Sequence, residues 1–431
     1  MNRLCEIIRG EIESRGVISF ARFMELSLYC PDLGYYERLT NRPGRRGDFY
    51  TNVSVGTLFG ELLALQFAQW LRDCRDRSAE CEVNGTAPPG IQILEAGAHD
   101  GQLAADILAW LRSREPQVWD RLEYWILEPS PRRQLWQRQT LDPVGAKVRW
   151  FGSWEDMPPS GVTGIIFSNE LLDAMPVHRL GWDAGAGTWF EWGVSWEAAR
   201  FVWQRLPLDS IPHGASLSRP ADHALPSDAR GLGSEGDVEP FMVPMPRPDT
   251  EQPGRNPHSA PRPNPHPALR LPHLKLSREE LRSVLPDGFA TEVSPAAVDW
   301  WRQAAATLAR GRLLTFDYGL KAEEFFRPEH AHGTLRAYRR HRRSDDVLAN
   351  AGEQDLTADI NFTELESAGR SQGLKTEGLC PQATFLTRIA RMAWEPESGF
   401  GEWTSNRTRQ FQTLTHPEHL GRRFKVLIQH R

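Results

Sequence analysis

A chain of 431 residues is long enough to bury one large or two modest cores without disulfide support. Its net charge of −5 excludes a strongly basic nucleic-acid binder. Five cysteines, Cys5, Cys30, Cys74, Cys81 and Cys380, are odd in number and lack paired metal-ligand spacing, so they read as reduced thiols, and no metal site is expected.

The opening MNRLCEIIRGEIESRG mixes acids with bases around no continuous apolar core. It fits neither a secretory signal nor an acid-poor transit peptide, and a cytoplasmic protein is expected. Residues 2 to 30 read as two helices, the second capped by Ser19. A glycine-rich, aromatic and basic stretch follows, carrying Tyr35, Tyr36, Asp48, Phe49 and Thr51; it is either a surface connection or a lid. The helix LFGELLALQFAQWL after it contains Glu61, Gln66 and Gln69, and is too short and polar to span a bilayer. Residues 1–90 thus form an N-terminal helical and lid segment.

The stretch IQILEAGAHDGQLAADILAWL, residues 91 to 111, reads as strand, tight turn and amphipathic helix, with Leu103, Ile107, Leu108 and Leu111 on one face. In an open parallel sheet a ligand settles at such a turn, where glycine lets the backbone approach it. The loop Glu95-Ala96-Gly97-Ala98-His99-Asp100-Gly101 differs from the Gly-x-Gly-x-x-Gly that cradles a pyrophosphate. Its carboxylates would repel a diphosphate but suit S-adenosyl-L-methionine, which has no phosphate and carries a sulfonium and an ammonium. Glu95, Gly97, Ala98 and Gly101 are the expected contacts. A second strand, YWILEPSP, ends at Glu128, placed either to accept the ribose hydroxyls or simply to leave the strand as a polar residue.

Ser130 and Pro131 open the next helix, and residues 147 to 151 form a third strand. The loop after it offers Trp154 to stack on an adenine and Asp156 to accept from its amino group; the alternative for Trp154 is closure of the core. The apolar strand from Gly164 to Ser168 delivers Asn169, Glu170 and Asp173 at its carboxyl end. If a helical turn begins there, Glu170 and Asp173 share a face, either for chemistry beside a methyl donor or as acids capping a helix N-terminus. The tryptophan-rich run from Thr188 to Leu206 alternates as a hairpin. Residues 91–206 form the first part of the core. The stretch 207–272 holds about half of the prolines and little apolar content, and is expected to be a disordered insertion.

Residues 273–431 resume the core. Ser294 and Pro295 start a helix, and RLLTFDYG is a buried strand ending at Asp317 and Tyr318. GTLRAYRRH, GEQDLTADINF and FKVLIQH are expected to add edge strands, with RAYRRHRR at 336 to 343 a solvated face rather than an RNA-binding patch. Alternating strands and helices imply an α/β fold with a mostly parallel sheet covered on both faces.

GDFYT with FGELL, LEAGAHDGQLAADIL, EPSPRRQLWQ, SNELLDAMPVHRL, EVSPAA, LLTFDYG, TLRAYRRH, DLTADINF and FKVL, in that order, resemble the MidA family. The resemblance implies a class I, Rossmann-like, S-adenosylmethionine-dependent methyltransferase, and among mitochondrial members a protein arginine methyltransferase that assists assembly of respiratory complex I. It places Glu95, Gly97 and Gly101 in the donor loop, Glu128 on the ribose, Asn169, Glu170 and Asp173 in the catalytic signature, and Asp48 with Thr51 in the N-terminal signature. Two positions depart: the family's Gly-Pro-Gly-Arg-Gly is Gly97-Ala98-His99-Asp100-Gly101 here, and its Ser-Pro-Glu is Asn52-Val53-Ser54. The expected partner is a protein presenting an arginine acceptor, with no nucleic acid, no membrane span, and homodimerisation left open. The alternatives are a non-catalytic assembly factor that keeps the fold, and a small-molecule methyltransferase.

Overall fold

The computed structural model describes residues 2–38, 51–79, 90–208, 278–339, 342–418 and 420–431, without the side chains of 73–79, 278–280 and 396. The described residues belong to one compact unit, Met1–Ile211 with Leu271–Arg431; a second unit, Pro212–Arg270, lies outside them, as does most of the stretch expected to be a disordered insertion.

In chain order the elements are α1 (Arg3–Arg15), β1 (Ile18–Ser19), α2 (Phe20–Tyr29), α3 (Leu58–Ala79), β2 (Ile91–Ala96), α4 (Gln102–Arg114), α5 (Pro116–Arg121), β3 (Leu122–Leu127), α6 (Pro131–Leu141), β4 (Val148–Phe151), β5 (Val162–Asn169), β6 (His178–Asp183), β7 (Thr188–Glu197) and β8 (Arg200–Pro207). From residue 278 onward come α7 (Arg278–Val284), β9 (Ala290–Val293), α8 (Pro295–Thr307), β10 (Leu308–Leu320), β11 (Arg336–Arg339), β12 (Arg342–Ser344), β13 (Asp355–Thr357), β14 (Ile360–Asn361), α9 (Phe362–Ser371), β15 (Lys375–Pro381), α10 (Gln382–Ala393), α11 (Ser405–Thr415) and β16 (Phe424–His430).

Helix starts follow local chemistry. The side chains of Asn2, Ser19, Ser130 and Ser294 accept from the N–H groups of Cys5, Arg22, Arg133 and Ala297, satisfying donors that the first turn leaves over. Proline occupies the first position of α6 and α8, where its missing N–H costs nothing.

The central sheet runs β15-β16-β10-β5-β2-β3-β4, with β14 also pairing β10. β4, β3, β2, β5 and β10 are mutually parallel, and β16 runs antiparallel to both of its neighbours. Period-two alternation divides the apolar runs between two cores. Ile93, Ile165, Phe167, Leu314 and Phe316 pack with α3 and α4, whereas Leu94, Ile166 and Leu313 pack with α8 and α9. The α/β expectation of a mostly parallel sheet covered on both faces therefore holds, with the N-terminal helices alongside.

The chain steps from β2 outward through β3 and β4, then returns to the other side of β2 for β5. A crevice consequently opens beyond the carboxyl ends of β2 and β5, where an open parallel sheet receives ligands.

Two further sheets depart from the expected edge additions. β6 to β9 with β1 form a five-stranded antiparallel sheet, and β12-β11-β13 is a separate three-stranded one. The strands from GTLRAYRRH and DLT thus do not extend the central sheet. Their register explains why: Arg336 faces Thr357 and Tyr338 faces Asp355 across β11 and β13, and all four line the crevice. Their polar side chains suit a cavity wall better than a place between two helix layers.

Candidate active site

The crevice encloses about 690 Å3, within the range of small-molecule sites. One wall is the loop after β2, where Gly97, His99 and Gly101 adopt φ of +74°, +48° and +86°. A Cβ on Gly97 would stand 2.9 Å from Leu171 Cδ1, the end of a side chain that can turn aside, so it is the backbone conformation that favours glycine here. Glu95, Ala98, His99 and Asp100 line the cavity with it.

Glu95 is 2% exposed and accepts a 2.6 Å hydrogen bond from Tyr124 Oη. Burial pushes its pKa up to about 8, against the opposing pull of that hydrogen bond. Asp100 goes the other way: burial opposes ionisation, but the neighbouring His99 and the Gln102 N–H hold its pKa below the usual value. One face of the loop thus pairs a carboxyl that is neutral near pH 7 with a carboxylate that is not.

The opposite wall is the end of β5. Glu170 donates its N–H to Phe316 O at 2.9 Å and is held at φ +53°, a conformation costly for a residue with a Cβ. Its Oε1 accepts from the Asn52 N–H at 2.9 Å and from Asn169 Nδ2 at 3.1 Å, while Asn52 Nδ2 donates to Asn169 Oδ1 at 2.9 Å. Asn52 is itself fully buried and takes a 2.7 Å hydrogen bond from Gln382 Nε2. Asp173 is 4% exposed, and burial together with the negative charges of Asp317, Asp355 and Glu170 drives its pKa well above the carboxylate range. The same desolvation lifts Glu170 to about 8. Residues 170–175 form turns rather than a helix, so Glu170 and Asp173 converge on the cavity through the strained backbone and not through helical spacing.

The model of methyltransferase family 28, described as S-adenosyl-L-methionine-dependent, matches residues 62–380. The chain belongs to this family. It is similar over 99% of its length to a Burkholderia thailandensis protein solved bound to S-adenosyl-homocysteine, with 28% identity, a TM-score of 0.70 and 92% of that chain covered. It is 26% identical to the mitochondrial protein arginine methyltransferase NDUFAF7 homolog of Drosophila melanogaster over 98% of this chain and 84% of the relative, and 22% identical to NDUFAF7 of Danio rerio over 97% and 84%. The resemblance to MidA proteins therefore holds, and the protein is an S-adenosylmethionine-dependent methyltransferase. The expectation of a cytoplasmic location is corrected: these relatives are mitochondrial proteins, and the composition of an N-terminus does not decide compartment.

The cavity of this methyltransferase suits its cofactor. A glycine turn leaves room for a ligand, and Glu95 and Asp100 offer carboxyl groups to a sulfonium and an ammonium. Among the residues expected at the donor, Glu95, Gly97, Ala98 and Thr51 line the cavity. Gly101 sits just behind them at the start of α4, where a Cβ would press on Gln137 Cα at 3.3 Å. Three others are not brought to the wall. Glu128 is fully buried, its Oε1 accepting from the Ser130 N–H at 3.0 Å and Arg133 Nε at 3.2 Å, and its Oε2 from Gln137 Nε2 at 3.1 Å. Trp154 lies edge-on against Trp300 with ring centres 5.6 Å apart, packed on the core. Asp156 is exposed and accepts from Ser153 Oγ at 3.0 Å. Asp48 lies outside the described residues. Asn169, Glu170 and Asp173 share the cavity with the donor loop.

Sequence reasoning missed several lining residues: Tyr29, Arg133, Arg336, Tyr338 and Asp355. Arg336 belongs to the run expected to be a solvated face. It instead makes a bidentate pair with Asp359, at 2.8 and 3.0 Å. The signal available was the alternation Arg336, Tyr338 on one strand and Asp355, Thr357 on another, which puts four polar side chains on one sheet face. Among the described residues no cluster suited to a metal is present, and no helix is long and apolar enough to cross a membrane.

Proposed function

We propose that the protein transfers a methyl group to an arginine side chain of a protein substrate. The carrying observation is that three carboxyl groups, Glu170, Asp173 and Asp355, line the same cavity as the donor loop, together with Tyr29, Tyr36, Tyr318 and Tyr338. A guanidinium is cationic, planar and rich in donors, and such a wall meets all three properties: carboxyls accept its hydrogens and aromatic faces stack on its plane. The full-length similarity to two protein arginine methyltransferases supports the same reading.

Bound at the Gly97–Gly101 turn, S-adenosylmethionine supplies the electrophilic methyl group. The remaining work falls to this chain. Glu170 is clamped by the Asn52 N–H and Asn169, so its carboxyl is fixed before the acceptor arrives. An entering guanidinium offsets the cost of ionising Glu170 and Asp173, and the resulting carboxylates align the attacking nitrogen. Glu170, ionised in this way, is placed to take the proton that the nitrogen sheds as the new C–N bond forms, while the methyl–sulfur bond breaks and S-adenosyl-homocysteine leaves.

The test incubates the purified protein with methyl-labelled donor and a depleted lysate, then hydrolyses the labelled protein to amino acids. Label in methylarginine that falls at least a hundredfold with Glu170→Gln supports the proposal. Label in another residue or in a small molecule, or equal incorporation by the variant, overturns it.

A further inference from the structure

Among the described residues three arginines line the cavity, and two of them are already paired. Arg133 is held by Glu128 at 3.1 Å, and Arg336 by Asp359 at 2.8 and 3.0 Å. Arg423 is different. It lies exposed just before β16, and among the described residues its side chain makes no hydrogen bond or ion pair. Glu418 lines the same lip and is exposed as well, but the two are not paired, and the exposed Arg422 next in sequence gives the lip a net positive charge. The register of the sheet sets what Arg423 can reach. Phe424 pairs with Tyr318 on β10, and Phe316 on β10 pairs with Asn169 on β5, so Arg423 stands at the same edge of the sheet as Glu170, two strands away. At about 4.8 Å per strand this is about 10 Å from the end of β5 and about 14 Å from the donor loop after β2. An extended peptide advances about 3.3 Å per residue, so Arg423 corresponds to a substrate residue about three positions from an acceptor seated at Glu170.

We propose that the lip at Arg423 selects protein segments in which an aspartate or glutamate lies about three residues from the acceptor arginine. The inference rests on arginine being the acceptor. Glu170, Asp173 and Asp355 make the interior acidic where a guanidinium is received, while the lip outside it is basic. Such a pattern is complementary to a cation with an anion beside it. It also discriminates against uniformly basic segments, whose second charge would meet Arg423 with nothing to offset the repulsion.

Three synthetic peptides test this, identical except that the residues two and three positions to either side of a single arginine are aspartate, asparagine or lysine. The initial rate of methylarginine formation is read at low and at high salt. Wild-type protein is expected to prefer the aspartate peptide to the asparagine one by about fivefold at low salt, the worth of one exposed ion pair, and by less at high salt. Arg423→Glu should reverse the order and favour the lysine peptide. The milder Arg423→Gln, which stands in if the charge reversal fails to fold, should bring the aspartate and asparagine peptides within twofold. Arg422→Glu alters net charge by the same amount without touching the cavity wall, and should keep the wild-type order. Equal rates on the three peptides, or a reversal by Arg422→Glu as large as that by Arg423→Glu, overturns the proposal. So does methylarginine formed in a depleted lysate but in none of the peptides. Absence of methylarginine from lysate and peptides alike overturns the acceptor assignment, and this inference with it.

Discussion

Replacing Glu95 by glutamine tests the electrostatics of the donor wall. Glu95 is 2% exposed, and its pKa rises from 4.5 to about 8 on folding because burial penalises the charged form more than Tyr124 relieves it. Below pH 4.5 the carboxyl is protonated in both folded and unfolded chains and costs nothing. Between pH 4.5 and about 8 the unfolded chain ionises while the folded one resists, so this group drains stability as pH rises. Above pH 8 the loss is complete. A shift of three to four units at about 1.36 kcal/mol each sets an upper bound of about 5 kcal/mol. Glutamine keeps the shape and can accept from Tyr124 Oη without titrating. The assay is urea denaturation of both proteins from pH 5 to pH 9, reading the variant minus wild-type difference, which cancels Glu170, Asp317 and the other raised acids. The difference should climb in favour of the variant across that range by a few kcal/mol. A difference that stays flat with pH would refute a buried, neutral Glu95.

Three other substitutions probe separate parts of the site. Gly97→Ala places a methyl group 2.9 Å from Leu171 Cδ1 at φ +74°, and should weaken S-adenosyl-homocysteine binding at least tenfold with a loss of about 1–2 kcal/mol in stability, read by calorimetry and thermal melting. Asn52→Ala strips partners from Gln382 and Asn169 in a fully buried position, and should cost about 1–3 kcal/mol in urea denaturation while reducing methyl incorporation more than donor affinity. Trp154→Phe should leave S-adenosyl-homocysteine affinity within twofold and cost about 1 kcal/mol, because the ring packs on Trp300 and does not line the cavity.

What could be read in the sequence follows the range of each signal. The strand over 91–96 and the helix after it are written in local apolar spacing, and the turn between them shows itself by two glycines, so that wall of the cavity was legible from residues alone. Glu128 shows the limit: its place at a strand end was readable, but the lid that Arg133 and Gln137 put over it depends on side-chain direction in α6. Trp154 had two readings, and its edge-on contact with Trp300, 146 residues away, lay beyond what its own segment could show. The aromatic and acidic wall from Tyr29, Tyr338 and Asp355 was invisible for the same reason, since each side chain is ordinary in its own segment. His99 and Glu170, both at positive φ without being glycine, break the local rule at the cavity wall, as Asp32, Ala198, Ala199 and Asn350 do elsewhere.

The pocket draws on both ends of the described chain: Tyr29, Tyr36 and Thr51 from one, Thr413, Glu418, Leu420 and Arg423 from the other, with Gln382 reaching across to Asn52. The two walls are therefore built from segments far apart in sequence, and β16 inserts between β10 and β15 of the central sheet, so the cavity is complete only when distant parts of the chain have docked. A chain whose distant segments had not docked would keep the glycine turn but lack the far wall, so donor affinity would report on the assembly of the whole fold rather than of one loop.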